Sequence, residues 1–185
     1  MSYATTAELK SYLGISENMD DTLLAALLNR ATAAIEQYTH RVFSAAVGTR
    51  YYRSDAVDGD TLHLDGDLYS VTTLTNGEGD TITEYWLLPR NEGPPYHAIK
   101  LKSESDHSWT FDTDGEVEVY GEWGFSSDPP DDIVHACIRL AGYYYRQKDA
   151  QVFDVTAQPD AGIITIPKGL PADVKMLLTP YRKVI

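Results

Sequence analysis

The sequence predicts an α+β protein: a helical bundle formed by the N- and C-terminal helices, carrying an inserted antiparallel β barrel or sandwich lobe. Three observations predict it. Apolar residues recur at helical spacing near both ends, at Leu24, Leu27, Leu28, Ala31, Ile35 and Tyr38, and again at Ile133, Cys137, Leu140, Ala141 and Tyr144. Residues 44–126 break instead into short runs rich in Thr, Tyr, Val, Ile and Trp, separated by turn formers. Finally, neither helical end has surface enough to bury its own stripe, so each must supply the other's missing partner. The expected domains are a helical core from 1–43 with 127–185, and a β domain over 44–126.

Taken in order, Thr5 and Glu8 have the spacing of a capping box, and the short helix they open through Leu9 and Leu13 stops at Gly14. Asp20 or Asp21 caps the second helix, which ends near residues 39–43. Its alanines at 25, 26, 33 and 34 keep it slim enough for close helix packing. The strands expected next are TRYYRS, DTLHLD, LYSVTTLT, TITEYWLLP, YHAIKLKS, SWTFD and EVEVYGEW. Asp58-Gly59, Asp65-Gly66, Asn76-Gly77, Gly93-Pro94-Pro95 and Asp114-Gly115 are the turns between them. Leu62 and Leu64 alternate with His63, and Val117 and Val119 with Glu118, as half-buried strands require.

A long helix follows over 128–148. Asp128 caps it, Pro129 or Pro130 fits its first turn, and Asp131 and Asp132 favour the positive end of its dipole. Val134, Ile138 and Tyr145 give it a second apolar face, leaving a polar strip of Asp132, His135, Arg139, Gly142 and Arg146. A helix apolar on two sides needs packing on two sides, by its own chain and by another copy. The segment after it is irregular, a mobile loop with a short strand at 163–166. Leu170-Pro171 then opens a last helix, with Val174, Leu177 and Leu178 on one side, and Pro180 ends it before a basic tail.

At 185 residues with 43% hydrophobic and 23% charged content, the chain is ordinary for a globular protein. No apolar run approaches the roughly 20 residues a membrane helix needs, and the opening MSYATTAELK lacks the features of a secretory signal. The single cysteine, Cys137, has no disulfide partner, so a reducing compartment is expected, and nothing nearby in sequence would lower its pKa. The net charge of −13 is uneven: residues 44–126 hold sixteen acids against five bases, while 127–185 hold seven of each. Such a surface repels a phosphate backbone.

No constellation argues for catalysis. His40, His63, His97, His107 and His135 are scattered without zinc spacing, and neither GxSxG nor a phosphate loop is present. Asn76-Gly77-Glu78-Gly79-Asp80 lacks a lysine and is a hairpin tip. Asp58, Asp60 and Asp65 lie near glycines and are candidate cation ligands, set against the alternative of simple hairpin turns. Tyr143, Tyr144 and Tyr145 cannot all face one way on a helix; they serve either core packing or a subunit interface.

The order of these pieces resembles the head-to-tail connector, or adaptor, proteins of tailed bacteriophages and gene transfer agents. YATTAELKSYLGI followed by DDTLLAALLNRATAAIEQYTHRVF is similar to that family's N-terminal helix pair. EVEVYGEWGFSSDPPDDIVHACIRLAGYYYRQKD resembles its strand, aromatic-glycine turn, proline and long helix, and LPADVKMLLTPYR its C-terminal ending. The resemblance implies a non-enzymatic virion protein without cofactors, made in the bacterial host cytoplasm and placed at the head–tail interface. It implies a ring, commonly of twelve copies, beneath the portal protein, passing double-stranded DNA without sequence-specific binding and receiving a stopper or tail-completion protein. Portal docking then falls to Leu170–Ile185, with Leu170, Pro171, Leu177, Tyr181 and Arg182 as contact residues. Tyr143, Tyr145, Arg139 and Arg146 are the expected subunit interface. The alternatives are another tail-completion protein, or an acidic β-domain binding module or hydrolase.

Overall fold

The computed structural model describes residues 2–111, 116–150, 155–158, 162–165 and 169–183. The expected Asp114-Gly115 turn, most of the expected loop after the long helix, and the last two residues of the basic tail lie outside the described residues. Among these residues the fold is mixed α+β, with four α-helices and a six-stranded antiparallel sheet. It divides into two compact units, Met1–His40 with Pro130–Ile185, and Arg41–Pro129.

The first unit contains α1 (Thr6–Leu13), α2 (Asp21–Thr39), α3 (Asp131–Ala150) and α4 (Ala172–Leu178). It also holds a hairpin of two strands, Val155–Gln158 paired antiparallel with Gly162–Thr165. At eight residues α1 is too short to stand alone. Its start is held by the capping box: the Glu8 N–H donates to Thr5 Oγ1, and the Thr5 N–H donates to the Glu8 carboxylate at 2.7 Å. Gly14 closes it at φ 72°, where a side chain would be strained. The backbone and hydroxyl bonds from Thr5 hold the Glu8 carboxyl below its ordinary value of 4.5. A depressed acid stabilises the fold above its unfolded pKa, and that contribution disappears as pH falls through the folded value. Glu8→Ala should therefore be destabilising at pH 7 and clearly less so near pH 3, read from denaturant melts at both pH values.

Leu24, Leu27, Leu28, Ala31 and Ile35 are buried along α2 as the stripe requires, joined by Thr32 and Thr39. They pack against Ile133, Ala136, Cys137, Leu140 and Ala141 of α3, and Val174 and Leu178 of α4 complete the buried set. Each fully buried Leu or Ile contributes roughly 1.5–3 kcal/mol, which is where the stability of these short helices comes from. Two helix expectations need correction. Asp20 sits at the N-cap of α2 but makes no side-chain capping bond. The helix α3 begins at Asp131, so Asp128 does not cap it and both prolines precede it. The reason is steric: Pro130 disfavours the helical region for Pro129, and the first helical bonds run from the Ile133 and Val134 N–H groups to the Pro130 carbonyl.

The second unit is the sheet: β1 (Ala46–Tyr52), β2 (Val57–Asp58), β3 (Thr61–Thr75), β4 (Tyr85–Leu88), β5 (Tyr96–Leu101) and β6 (Val117–Trp123). The strands run in the order β1-β6-β3-β5-β4, with β2 pairing the start of β3. This is an open sheet; no ladder closes β1 onto β4 among the described residues. Its core face gathers Leu62, Leu68, Leu74, Ile99, Val117 and Val119, with Tyr52 and Trp123, whose ring centroids lie 6.4 Å apart.

Three local expectations differ here. The runs DTLHLD and LYSVTTLT form one strand, β3, because Asp65-Gly66 is not a turn but part of an irregularity between His63 and Leu68. The Arg50 guanidinium lies against Gly66, in the space a Cβ would take. SWTFD supplies no strand among its described residues. Its backbone is taken by the buried Asn76, whose amide donates to the Ser108 carbonyl at 2.8 Å and accepts from the Thr110 N–H at 3.0 Å. The polar strip of α3 is also interrupted. Gly142 is buried, and a Cβ there would lie 3.4 Å from Leu13 of α1.

Candidate functional site

On a helix, successive residues turn by about 100°, so three adjacent tyrosines must diverge. Tyr143 and Tyr144, with ring centroids 6.1 Å apart, rim a groove of about 550 Å³ shared with Tyr38, Gln37, Gln147 and Leu170. The Tyr143 hydroxyl is buried and has no hydrogen-bond partner among the described residues. Burial, then the neighbouring Tyr143, pushes the Tyr144 phenol up. Tyr145 turns away and donates to the Asp20 carboxylate at 2.5 Å. Arg139 forms an ion pair with Asp173 of α4. Of the four residues expected at a subunit interface, Tyr145 and Arg139 therefore hold partners within their own chain, Tyr143 lines the groove, and Arg146 is exposed.

The C-terminal segment folds back on the same unit. Pro171 occupies the N-cap of α4, Leu177 is half-buried, and Leu170 sits in the groove. The Tyr181 hydroxyl donates to the Asp132 carboxylate at 3.4 Å, the Arg182 guanidinium lies 5.7 Å from the Tyr38 ring, and the Lys183 N–H donates to the Thr39 carbonyl at 2.8 Å. Burial and the Asp132 charge raise the Tyr181 phenol. The most conspicuous surface residue of the segment was not anticipated: Met176 is 73% exposed. Its signal was present, since Val174 and Leu178 share the buried side and Met176 falls some 200° from Val174.

In the β unit the acidic turn residues separate. Asp58 and Asp60 are exposed beside the Gly59 turn. Asp65 instead accepts from Arg50 at 2.6 Å and from the Tyr52 hydroxyl at 2.7 Å. Burial alone would raise the Asp65 carboxyl, but the Tyr52 and Arg50 hydrogen bonds and the Arg50 charge outweigh it and hold it low. Burial, followed by the bond to Asp65, drives the Tyr52 phenol far up. Among the described residues no group of three His, Cys, Asp or Glu is placed to hold a metal ion. Cys137 is buried, with its thiol 3.6 Å from the Thr32 hydroxyl, and burial raises its pKa against the hydrogen bonds that lower it, the opposite of what a nucleophile needs. Among the described residues no helix is long and apolar enough to cross a membrane.

What the molecule presents is a set of aromatic, apolar and charged surface residues spread over both units. The family follows from the sequence: the model of the head completion protein family matches residues 3–184, and the chain belongs to that family. No curated protein sequence matches it. Among solved structures, the fold is similar to a chain in the neck of an empty gene transfer agent particle computed with C6 symmetry, at 22% identity and a TM-score of 0.62. That likeness covers 97% of this chain and 89% of the other. A chain of the virion of a native gene transfer agent particle gives the same figures. One in the neck of the native particle computed with C12 symmetry is 23% identical, with a TM-score of 0.62 over 97% of this chain and 88% of that one. Membership of the head completion family gives this chain a structural role in the virion.

Proposed function

We propose that this chain is a head-to-tail connector, or adaptor, subunit of the virion. Copies assemble into a ring at the head–tail interface, beneath the portal protein, extend the channel through which double-stranded DNA passes, and offer a surface to a stopper or tail-completion protein. The observation that carries this is the match to the head completion family over almost the whole chain, together with a fold shared end to end with neck chains of a particle solved with C12 symmetry. The protein acts by contact rather than by catalysis.

The residues divide the work accordingly. The helical unit supplies ring contacts through the Tyr143 groove and Arg146, where a neighbour's polar group would satisfy the Tyr143 hydroxyl. Tyr145 and Arg139 position that surface through Asp20 and Asp173. Docking to the portal uses 170–185, with Leu170, Pro171, Leu177, Tyr181 and Arg182 shaping the segment and Met176 offering exposed apolar surface. The sixteen acids of residues 44–126 keep passing DNA from adhering, because like charge within a screening length of about 8–10 Å prevents close phosphate contact.

Particles lacking this chain, viewed by electron microscopy, should show filled heads without tails that go on to lose DNA. Tailed particles retaining DNA would refute the reading. Met176→Glu combined with Arg182→Glu should cost no more than about 1 kcal/mol of stability, since both side chains are exposed and only the Arg182–Tyr38 contact is lost, yet cut incorporation into particles at least about tenfold. Normal incorporation would remove the docking role from this segment.

A further inference from the structure

The two free edges of the sheet differ in charge and both carry exposed apolar residues. At one end is β1, whose seven residues run in unbroken register with β6 from Ala46 opposite Trp123 to Tyr52 opposite Val117. Its outward row is Val47, Thr49 and Tyr51, with Val47 63% and Tyr51 61% exposed. This row holds no charge and the strand no proline, and the strand's one charge, Arg50, is drawn to Asp65, so the outward side chains do not block edge pairing. Behind it on the same face stand Glu122, Tyr120 and Glu118, the direct partners of Val47, Thr49 and Tyr51.

At the other end is β4, with Trp86 on its outward face opposite Lys100 of β5. The Arg90 guanidinium lies 3.3 Å and the Lys102 ammonium 4.6 Å from the Trp86 ring. Residues 44–126 contain five bases. Arg50 and Arg53 are paired with Asp65 and Glu116, whereas Arg90, Lys100 and Lys102 form no ion pair among the described residues. Neither Glu118 nor Glu122 forms one either; Glu122 only accepts from the Ser70 hydroxyl at 2.8 Å. One edge thus displays apolar side chains backed by unpaired acids, and the opposite edge an aromatic ring flanked by unpaired bases.

We propose that the β1 edge of one copy docks on the β4 edge of a second copy of this chain, with Val47 and Tyr51 against Trp86, and Glu118 and Glu122 facing Arg90, Lys100 and Lys102. The contact is heterologous: each copy uses one edge and leaves the other free, so the pairing repeats and closes into a ring if the rotation permits. It deepens the ring reading given above and rests on it. Charge complementarity selects the occupant, because a lobe with sixteen acids attracts a copy that offers bases at one edge far better than it attracts a nucleic acid.

The test uses the full chain and two surface variants, Val47→Ser with Tyr51→Ser, and Arg90→Glu with Lys102→Glu, whose melting curves check folding. Mass and sedimentation are measured up to about 1 mM protein, in low salt and in high salt. The wild type should self-associate, more weakly in high salt, and each variant should weaken this at least about tenfold. Mixed together, the two variants retain one complementary pair of edges between them and should form dimers that grow no further. A wild type monomeric at the highest concentration, variants that associate normally, or a mixture that builds larger assemblies would each overturn the inference. Loss of retention on a DNA duplex by Arg90→Glu with Lys102→Glu, at unchanged self-association, would overturn it too and give the Trp86 surface to phosphate. Incorporation into particles is scored separately: both variants entering particles normally would discard this interface while leaving the connector reading intact.

Discussion

Leu140→Asp is expected to abolish cooperative folding of the helical unit. Leu140 has 0% exposure and lies on the α3 face that packs on α2. Removing its side chain from the core costs roughly 2–5 kcal/mol, and leaving an unpaired carboxylate in its place adds several more. Protonating that carboxyl avoids the charge but still leaves a polar group without an assigned partner in an apolar site. Against a total stability of about 5–15 kcal/mol, the sum is enough to unfold a small domain. Circular dichroism during a urea titration checks it, and Leu140→Met serves as the control, with an expected loss below about 1.5 kcal/mol. A soluble Leu140→Asp protein with a sharp wild-type transition would remove α3 from the core.

Gly121→Val should do comparable damage to the sheet. Gly121 pairs with Gly48 on one side and Val71 on the other, in the middle of β6. A Cβ at this position would run into the Ser70 carbonyl and come within 3.1 Å of the Val71 Cα. Both are backbone atoms, so relief requires β3 and β6 to part rather than a side chain to rotate. A cost of about 3 kcal/mol, at the top of the usual range for overpacking, is expected from the near-ultraviolet melt of the Trp123 region. Gly48 provides the contrast: its Cβ would meet only a Trp123 ring atom at 3.6 Å, an ordinary contact. Gly48→Ala should therefore stay within about 1 kcal/mol of wild type, and equal effects at the two glycines would contradict the close-approach argument.

The helices were legible in the sequence because their signals are local. The Thr5–Glu8 box, the Gly14 stop and the spacing from Leu24 to Ile35 each act within one or two turns, and each is found where it was expected. The misread positions are those where a distant residue decides. Asp65-Gly66 carries the dipeptide of a hairpin turn, yet Arg50 and Tyr52 on another strand hold Asp65, and Arg50 covers Gly66 inside a continuous β3. SWTFD has strand composition, but Asn76, some 30 residues earlier in the chain, takes the backbone bonds of Ser108 and Thr110. Gly142 fell on a polar strip by periodicity alone, and Leu13 and Tyr12 of α1 cover it.

The surfaces proposed for contact were half legible for a related reason. Periodicity tells which side of an element is apolar, not which apolar residue is left uncovered. Tyr143 and Arg146 could be named from α3 alone, while the exposure of Val47, Tyr51, Trp86 and Met176 depends on where neighbouring strands and helices stop. Arg139 and Tyr145 show the converse, since two residues that looked available find Asp173 and Asp20 in their own chain.

Electron cryomicroscopy of the neck of particles carrying this chain tests the central claim most directly. The connector reading predicts a closed ring of copies in contact with the portal, its last helix at that contact and the DNA path running through its centre. Density for the chain anywhere else in the particle, or a single copy bound off the axis, would contradict it.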